Sequence, residues 1–174
     1  DTLDVGEIII TGNNVFPGYV EDAHNQGAWV VDENGQQYFR TGDLGKIDES
    51  GYVSLCGRQK ELIIRGGHNI DPKMIEDAAT SHPDVTLAAA VPRPDSYAGE
   101  VPVLYVMLSL QSTLKLDDLT TYVSANIPER AAIPKAIYII DEIPLTAVGK
   151  IYKPELVCLE IKQTITEAIN AHLK

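Results

Sequence analysis

The sequence has few of the residues that hold metals and disulfides. Its two cysteines, Cys56 and Cys158, lie far apart, and neither belongs to a Cys-x-x-Cys pair. None of the four histidines has a partner at the His-x-x-x-His or His-Glu-x-x-His spacing of a zinc site. We therefore expect no metal centre and no disulfide. The pattern fits two buried thiols better than a metal site or a disulfide, and it therefore indicates a reducing compartment, the cytoplasm.

Basic residues and long apolar runs are also scarce. Lys and Arg number 14 against 25 Asp and Glu, and the net charge of −11 argues against a nucleic-acid partner, which normally needs a basic face. No apolar run approaches the roughly 18–20 residues of a membrane-spanning helix. No signal-peptide pattern opens the chain. The sequence thus predicts neither nucleic-acid binding nor a transmembrane segment.

The apolar content is sufficient for a folded core. Apolar residues make up 44% of the 174 residues, which suits one domain or a small domain with a piece of another. Charge is unevenly distributed: 10 acids and 2 bases give −8 over 1–56, whereas 15 acids and 12 bases give −3 over 57–174. A local cationic site for an anionic ligand is therefore possible in the second part. The opening run, DTLDVGEIIITG, is typical of a strand inside a protein, so we expect the start to be a cut.

Residues 1–56 alternate between short apolar runs and turn residues. The run 6–12 predicts a buried strand. A turn at Asn34-Gly35 leads into an apolar run through Tyr38 and Phe39. A second turn, at 48–51, leads into a run through Val53 and Leu55. The pattern predicts a segment made only of strands and turns.

From residue 61 onward, strand and helix patterns alternate. Asp71 followed by Pro72 predicts a helix start. Helices are also predicted over 115–127 and over the last twenty residues. The fold class is α/β (α+β mixed), with a boundary near 57–61. The predicted apolar faces of the three helices are Ile75, Ala78 and Ala79, then Leu116, Leu119, Val123 and Ile127, then Ile161, Ile165, Ala168, Ile169 and Leu173.

Polar residues at strand ends are the candidates for chemistry in the first part. Asp43 ends a Thr-Gly-Asp turn, where a carboxylate can accept hydrogen bonds from two vicinal hydroxyl groups. On this triplet alone, a turn in which Asp43 bonds its own backbone is the more common role. Arg58 follows the strand through Leu55, and we expect it to stand beside Asp43 at neighbouring strand ends. Taken alone, Arg58 and Lys60 would be solvated charges.

Two glycine-containing turns are the candidates in the second part. Gly66 and Gly67 lie between a strand and a helix start, where a backbone without side chains admits a thin ligand or an anion. His68 is predicted to be a loop residue. Lys150 follows a glycine in a loop that is not a phosphate-binding P-loop, and it could serve as a mobile cation for a phosphate or carboxylate. Each signal also has an ordinary structural explanation.

Together and in order, these motifs resemble a known family. The set YFRTGDLG, then GYVSLCGRQKELIIRGGHNIDPKMIED, then EIPLTAVGKIYK is similar to the C-terminal portion of the AMP-forming acyl-CoA synthetases, which belong to the adenylate-forming enzymes. The resemblance covers essentially the whole chain. It implies that 1–56 is the β-rich tail of the larger N-terminal domain, that 57–61 is a hinge, and that 62–174 is a mobile, three-layer C-terminal lid domain.

The resemblance also implies roles for individual residues in forming an acyl adenylate. Asp43 would hold the ribose hydroxyl groups of ATP, and Arg58 would help to orient the nucleotide. Lys150 would reach the carboxylate and the α-phosphate, two anions whose mutual repulsion a cation relieves. Mg²⁺ is expected with ATP in the full-length enzyme.

A second set of residues would serve transfer to coenzyme A. Lys60 would be the hinge, and Gly66 and Gly67 would line the path of the pantetheine chain. A lid that swings about Lys60 could then offer Lys150 in one step and the glycine pair in the next.

The resemblance leaves the acceptor and the acid open. RGGHNIDPKMIE favours a fatty-acid-type ligase, while an adenylation domain that loads a carrier protein and a non-catalytic nucleotide- or partner-binding module are the alternatives. The family's phosphate loop and acyl pocket lie outside these residues, in an N-terminal domain that would be the chain's partner. We therefore expect the 174-residue chain alone to be inactive.

Overall fold

A computed structural model of the chain describes residues 5–173. The chain divides into two compact units, Asp1–Lys60 and Glu61–Lys174. The division falls within 57–61, although movement about this point stays a prediction. The first four residues of the opening run lie outside the described part.

The first unit is a four-stranded antiparallel sheet with one long strand that pairs with the other three. The strands are β1 (Gly6–Ile10), β2 (Trp29–Val31), β3 (Gln37–Ile47) and β4 (Val53–Arg58). As predicted, the turn at Asn34-Gly35 joins β2 to β3, and that at 48–51 joins β3 to β4. Strand β3 contacts all the others. The short helix α1 (Asp22–Asn25) was not predicted, because four residues are too few to show helical periodicity.

The second unit has a five-stranded sheet with strand β8 in its interior. The strands are β5 (Ile63–Arg65), β6 (His68–Ile70), β7 (Val85–Asp95), β8 (Gly99–Leu108) and β9 (Ala136–Ile139). Strand β8 pairs antiparallel with β7 and, at Gly99, with β5, and it pairs parallel with β9. His68 therefore lies in β6, and its prediction as a loop residue is wrong. The two glycines before it make a tight hairpin that returns the chain directly to β5.

Helices cover both faces of this sheet, which confirms the three-layer prediction. They are α2 (Pro72–Thr80), α3 (Leu116–Asn126) and α4 (Lys153–His172). Side chains alternate across a strand, so Ala88 and Ala90 of β7 pack in one core with α2 and α3, whereas Ala89 and Val91 pack with Leu156 of α4. As predicted, Asp71 caps α2 by accepting from the Lys73 N–H at 2.9 Å.

Helix α3 buries most of its predicted apolar face, but α4 does not. In α3, Leu119, Val123 and the following Ile127 are buried, and Leu116 is exposed at the first turn. Helix α4 instead buries Leu156 and Glu160. The predicted stripe of Ile161, Ile165, Ala168, Ile169 and Leu173 is exposed.

Tertiary partners explain which face of α4 is buried. Glu160 is inside because the Tyr105 hydroxyl donates to it and Arg93 lies 3.6 Å away. Burial and this hydrogen bond raise the pKa of Tyr105, which keeps the hydroxyl protonated as a donor. Cys158 is two residues from both Leu156 and Glu160 and thus points away from the sheet. It is exposed and Cys56 is only half-buried, so the prediction of two buried thiols is wrong.

Candidate functional site

Asp43 and Arg58 form an ion pair in the first unit. They lie opposite each other in the β3–β4 register, and Arg58 Nε donates to Asp43 Oδ1 at 2.8 Å. The side chains are 32% and 64% exposed, so solvent screens the pair and it adds little to stability. Within residues 5–173 no other side chain bonds to either group. The second carboxylate oxygen of Asp43 and the terminal guanidinium nitrogens of Arg58 therefore have no hydrogen-bond partner in this part of the chain.

The two side chains meet as predicted, but Asp43 is not at the end of a strand. Strand β3 continues to Ile47 because it is paired on both sides, with β1 and with β4. Gly42 takes a φ of +73°, which lets the chain bend without leaving the ladder. The Asp43 N–H donates to the Thr41 hydroxyl at 3.0 Å, so Thr41 makes the local turn bond. The Asp43 carboxylate pairs with Arg58 and not with its own backbone.

Glu7 supports this segment from β1, and sequence reasoning did not identify it. Its carboxylate accepts from Arg40 Nη2 at 2.6 Å and from the Gly42 N–H at 3.2 Å. The hydrogen bond from Arg40 lowers the pKa of Glu7, and the charge of Arg40 and the Gly42 N–H add to the effect against the opposing influence of burial. Glu7 therefore holds the bend before Asp43 as a carboxylate. Only its apolar neighbours in the GEIIITG run gave a sequence signal.

Lys60 lies in a 3₁₀ turn, Gln59–Glu61, at the boundary of the two units. Its side chain is exposed. This position agrees with the location predicted for the hinge, and its role stays a prediction.

Gly66 and Gly67 form the two-residue turn between β5 and β6. Their φ angles are +56° and +87°, which only glycine adopts readily at both turn positions. No atom lies within 4 Å of the place where a Cβ of either would stand, so the turn faces open space. A side chain here would be strained and would also occupy a surface that is now bare backbone.

An open cavity of about 690 Å³ adjoins Gly66. Arg65, His68, Arg130 and Lys135 supply its cationic or titratable lining, and Asp95 is its one carboxylate. The N–H groups of Ala98 and Tyr97 lower the pKa of Asp95, with Lys135 and Arg65 contributing. Sequence reasoning missed this cluster because its members lie up to 70 positions apart. The cavity suits an anionic ligand despite the acidic net charge.

Lys150 lies in a closed turn before α4. The Leu145–Ile151 bridge closes the turn, and the Thr146 N–H bonds the Lys150 carbonyl at 2.6 Å. Gly149 has a φ of +79°, as the reversal requires. The Lys150 side chain is exposed and, among residues 5–173, makes no hydrogen bond or ion pair. The backbone of the turn is thus held by hydrogen bonds, while the Lys150 ammonium makes no contact of this kind with the described residues.

The predicted site residues fall into separate groups. Asp43 and Arg58 are in contact within the first unit, whereas Gly66, Gly67 and Lys150 occupy two turns of the second. No group of three or more His, Cys, Asp or Glu side chains in residues 5–173 is arranged to hold a metal ion. In the same range, we find no helix with the length and apolarity needed to cross a membrane.

Comparison with known proteins agrees with these motifs. Residues 74–150 match the family of the AMP-binding enzyme C-terminal domain. A marinolic acid–CoA ligase of Pseudoalteromonas sp. (strain SANK 73390) is 50% identical over 171 residues, which is 98% of this chain and 26% of that protein. The 2-succinylbenzoate–CoA ligase of Staphylococcus aureus is 38% identical over 151 residues, or 87% of this chain and 29% of the relative.

A solved structure gives the same result. The o-succinylbenzoate CoA synthetase of Bacillus subtilis, in complex with its acyl-adenylate intermediate, matches with a TM-score of 0.79 and 30% identity over 90% of this chain and 31% of that one. The chain spans between a quarter and three-tenths of the length of the curated relatives described above.

Proposed function

The chain belongs with the C-terminal portion of the AMP-forming CoA ligases, and on that premise we propose that it is part of an acid–thiol ligase. The longer protein, called the parent enzyme below, activates a carboxylic acid with ATP to give an acyl adenylate and pyrophosphate. It then transfers the acyl group to coenzyme A with release of AMP. Its larger N-terminal domain is the partner of this chain and supplies the acyl pocket. We keep a fatty-acid-type substrate and a cytoplasmic location as parts of this proposal.

The observation that carries the proposal is the open ion pair of Asp43 and Arg58. A carboxylate accepts two hydrogen bonds from vicinal hydroxyl groups, and the ribose of ATP presents such a pair. The 2.8 Å contact with Arg58 orients the carboxylate and leaves its second oxygen without a hydrogen-bond partner in residues 5–173. In this proposal Asp43 binds the ribose and Arg58 orients the nucleotide. Mg²⁺ accompanies the phosphates of ATP.

Lys150 supplies the charge for adenylation. The attack of a carboxylate on the α-phosphate brings two anions together, and a positioned cation stabilises the transition state. The ordered turn sets where the Lys150 stem begins, while its ammonium has no protein partner in residues 5–173 to displace. In this scheme the cation acts in the first reaction, where the two anions meet, and the second reaction does not depend on it.

Coenzyme A is the proposed acceptor, and the turn at Gly66 and Gly67 with its cavity supports this choice. The bare backbone leaves room for the thin pantetheine chain. The adjoining cations Arg65, Arg130 and Lys135 suit a ligand with several phosphate groups. A carrier protein would also present a pantetheine thiol, so the glycine turn alone does not distinguish the two acceptors. The adjoining cations favour free coenzyme A, because it carries several phosphate groups.

The test uses the parent enzyme, extended upstream to its natural start. Pyrophosphate exchange is measured with a panel of carboxylic acids, followed by thioester formation on addition of coenzyme A. Exchange with thioester formation supports the ligase, exchange without it indicates a carrier-loading enzyme, and no exchange with any acid indicates a non-catalytic module. Thioester formation by the 174-residue chain alone would contradict the expected inactivity.

Lys150→Ala tests the assignment of the cation. We expect adenylation to fall about 10²–10³-fold, while thioester formation from preformed acyl adenylate survives. Lys162→Ala, which removes an exposed lysine that lies within α4, is the matched control and should change neither reaction. Equal losses in both reactions would show that Lys150 is structural.

A further inference from the structure

Lys153, the first residue of α4, is bound by two carboxylates. Its ammonium lies 2.9 Å from Glu61 Oε2 and 2.9 Å from Glu76 Oε1. The Lys153 side chain is only 20% exposed and that of Glu76 only 18%. By comparison, the surface pair of Lys73 and Asp77 on α2 is more than 60% exposed at both ends. Lys153 is thus a mostly buried cation with its charge satisfied within the second unit.

The three side chains form one cluster that is fastened to the central sheet. Glu76 Oε1 also accepts the N–H of Ala90, in β7, at 2.9 Å. Burial acts to lower the pKa of Lys153, but the hydrogen bond to Glu61 and the charge and hydrogen bond of Glu76 outweigh it and leave the pKa above its usual value. Lys153 therefore stays charged and bound across the physiological range of pH.

The cluster joins two segments that the proposed function requires. Glu61 directly follows Lys60, the predicted hinge. Lys153 follows the turn that carries Lys150, and the Tyr152 N–H closes this turn onto the Pro144 carbonyl at 2.8 Å. The turn itself is largely in solvent, since Val148 is 80% exposed. Its two ends are attached by Ile143, which is buried, and by Lys153.

We propose that Lys153 is a positioning residue for adenylation, which holds the Lys150 turn in fixed relation to the segment that follows the hinge. The inference rests on the proposed function. Lys153 touches no substrate in this scheme. Through its contact with Glu61, Lys153 couples movement of the chain at Lys60 to the Lys150 turn, so that the two segments move together. Through its contact with Glu76, it anchors both segments to the sheet.

The consequence is a selective kinetic defect. Without the Lys153 ammonium, the two carboxylates repel each other and the C-terminal end of the Lys150 turn is released. A displacement of about 1 Å at a reacting group can cost about 100-fold in rate. Only adenylation uses Lys150 in the proposed scheme, so the transfer to coenzyme A should be spared.

The experiment compares Lys153→Met, Lys153→Arg and Glu61→Gln in the parent enzyme. For Lys153→Met we expect kcat for adenylation to fall about 10–100-fold, with thioester formation from preformed acyl adenylate retained. Lys153→Arg keeps the charge and should restore most of the rate. Glu61→Gln, which leaves the contact with Glu76, should lower adenylation to a smaller extent. Lys73→Met, which breaks the exposed pair on α2, is the matched control and should leave both rates unchanged.

Hydrogen exchange provides a readout that does not depend on activity. In Lys153→Met, the amides of Thr146, Gly149 and Tyr152 should exchange faster than in the wild type, while those of β8 stay protected. If β8 also loses protection, the variant is unfolded, and Glu61→Gln then decides the question by the same two measurements.

Three results would overturn the inference or separate it from the proposed function. Adenylation at the wild-type rate in a folded Lys153→Met would overturn it, and so would equal losses in both reactions. If the wild-type parent enzyme forms no acyl adenylate, the proposed function fails. Exchange of the turn amides then still shows whether Lys153 holds the Lys150 turn.

Discussion

Gly45 offers a direct test of how the first unit holds Asp43 opposite Arg58. It lies in β3 beside the register shift in the β3–β4 pairing, two residues beyond Asp43. A Cβ at this position would stand 2.7 Å from Ile8 Cδ1 and 2.9 Å from the Ser54 carbonyl oxygen. The end of the Ile8 side chain can rotate away. The Ser54 carbonyl belongs to β4, so only a shift of the strand can relieve that contact.

The expected cost of Gly45→Ala follows from this contact. Extra volume in a well-packed site typically costs about 1–3 kcal/mol, and a strand shift would carry Arg58 away from Asp43. Gly6→Ala is the matched control, because Gly6 is the β1 partner of Gly45 and no atom lies within 4 Å of its Cβ position. That change should be neutral or should stabilise the unit by about 0.4–1 kcal/mol.

Hydrogen exchange of the β3 and β4 amides measures the difference within the intact parent enzyme. A cost of about 1–3 kcal/mol corresponds to opening that is about 5–150-fold more frequent. The KM for ATP should rise in Gly45→Ala and not in Gly6→Ala. If both variants exchange alike and bind ATP alike, the β3–β4 contact does not hold the ion pair and the reasoning is wrong.

Two further predictions concern stability. Asp71→Ala removes the cap of α2 and should lower the free energy of unfolding of the second unit by about 1 kcal/mol. Asp71→Asn keeps an accepting oxygen and should lower it by less. Chemical denaturation of the two variants measures the difference. Because folding lowers the pKa of Glu7 below its ordinary value of 4.5, its contribution is present above that value and is lost as the pH falls through the lowered pKa. The protection of the β3 amides, corrected for the slower intrinsic exchange at lower pH, should therefore decrease on acidification in the wild type, and Glu7→Gln should remove that part of the pH dependence.

Local signals predicted most of the secondary structure. The turn at Asn34-Gly35 and the Asp71 cap followed by proline act within a few residues, so the chain forms them in the same way in many contexts. The predicted hairpin also placed Arg58 beside Asp43, and the structure pairs the two residues. A hairpin relates residues that are close in sequence, and the pairing register is then set by the turn.

Predictions that depended on distant partners were less reliable. The pattern of α4 drew attention to Ile161, Ile165 and Ile169, yet the buried positions are Leu156 and Glu160. The sequence of α4 contains no signal that Tyr105 and Arg93 lie opposite Glu160. The cationic cavity beside Gly66 was missed for the same reason, since Arg130 and Lys135 reach it from another part of the chain.

The turns, the helix caps, the alternation of apolar residues and the order of the motifs could all be predicted from the sequence alone. These features depend on backbone preferences and on spacing over a few residues. The packing of the chain, by contrast, sets which carboxylates contact Lys153, which face of α4 is buried and which cations lie near the Gly66 turn. Those contacts join residues that are tens of positions apart, and they exist only once the strands and helices have packed.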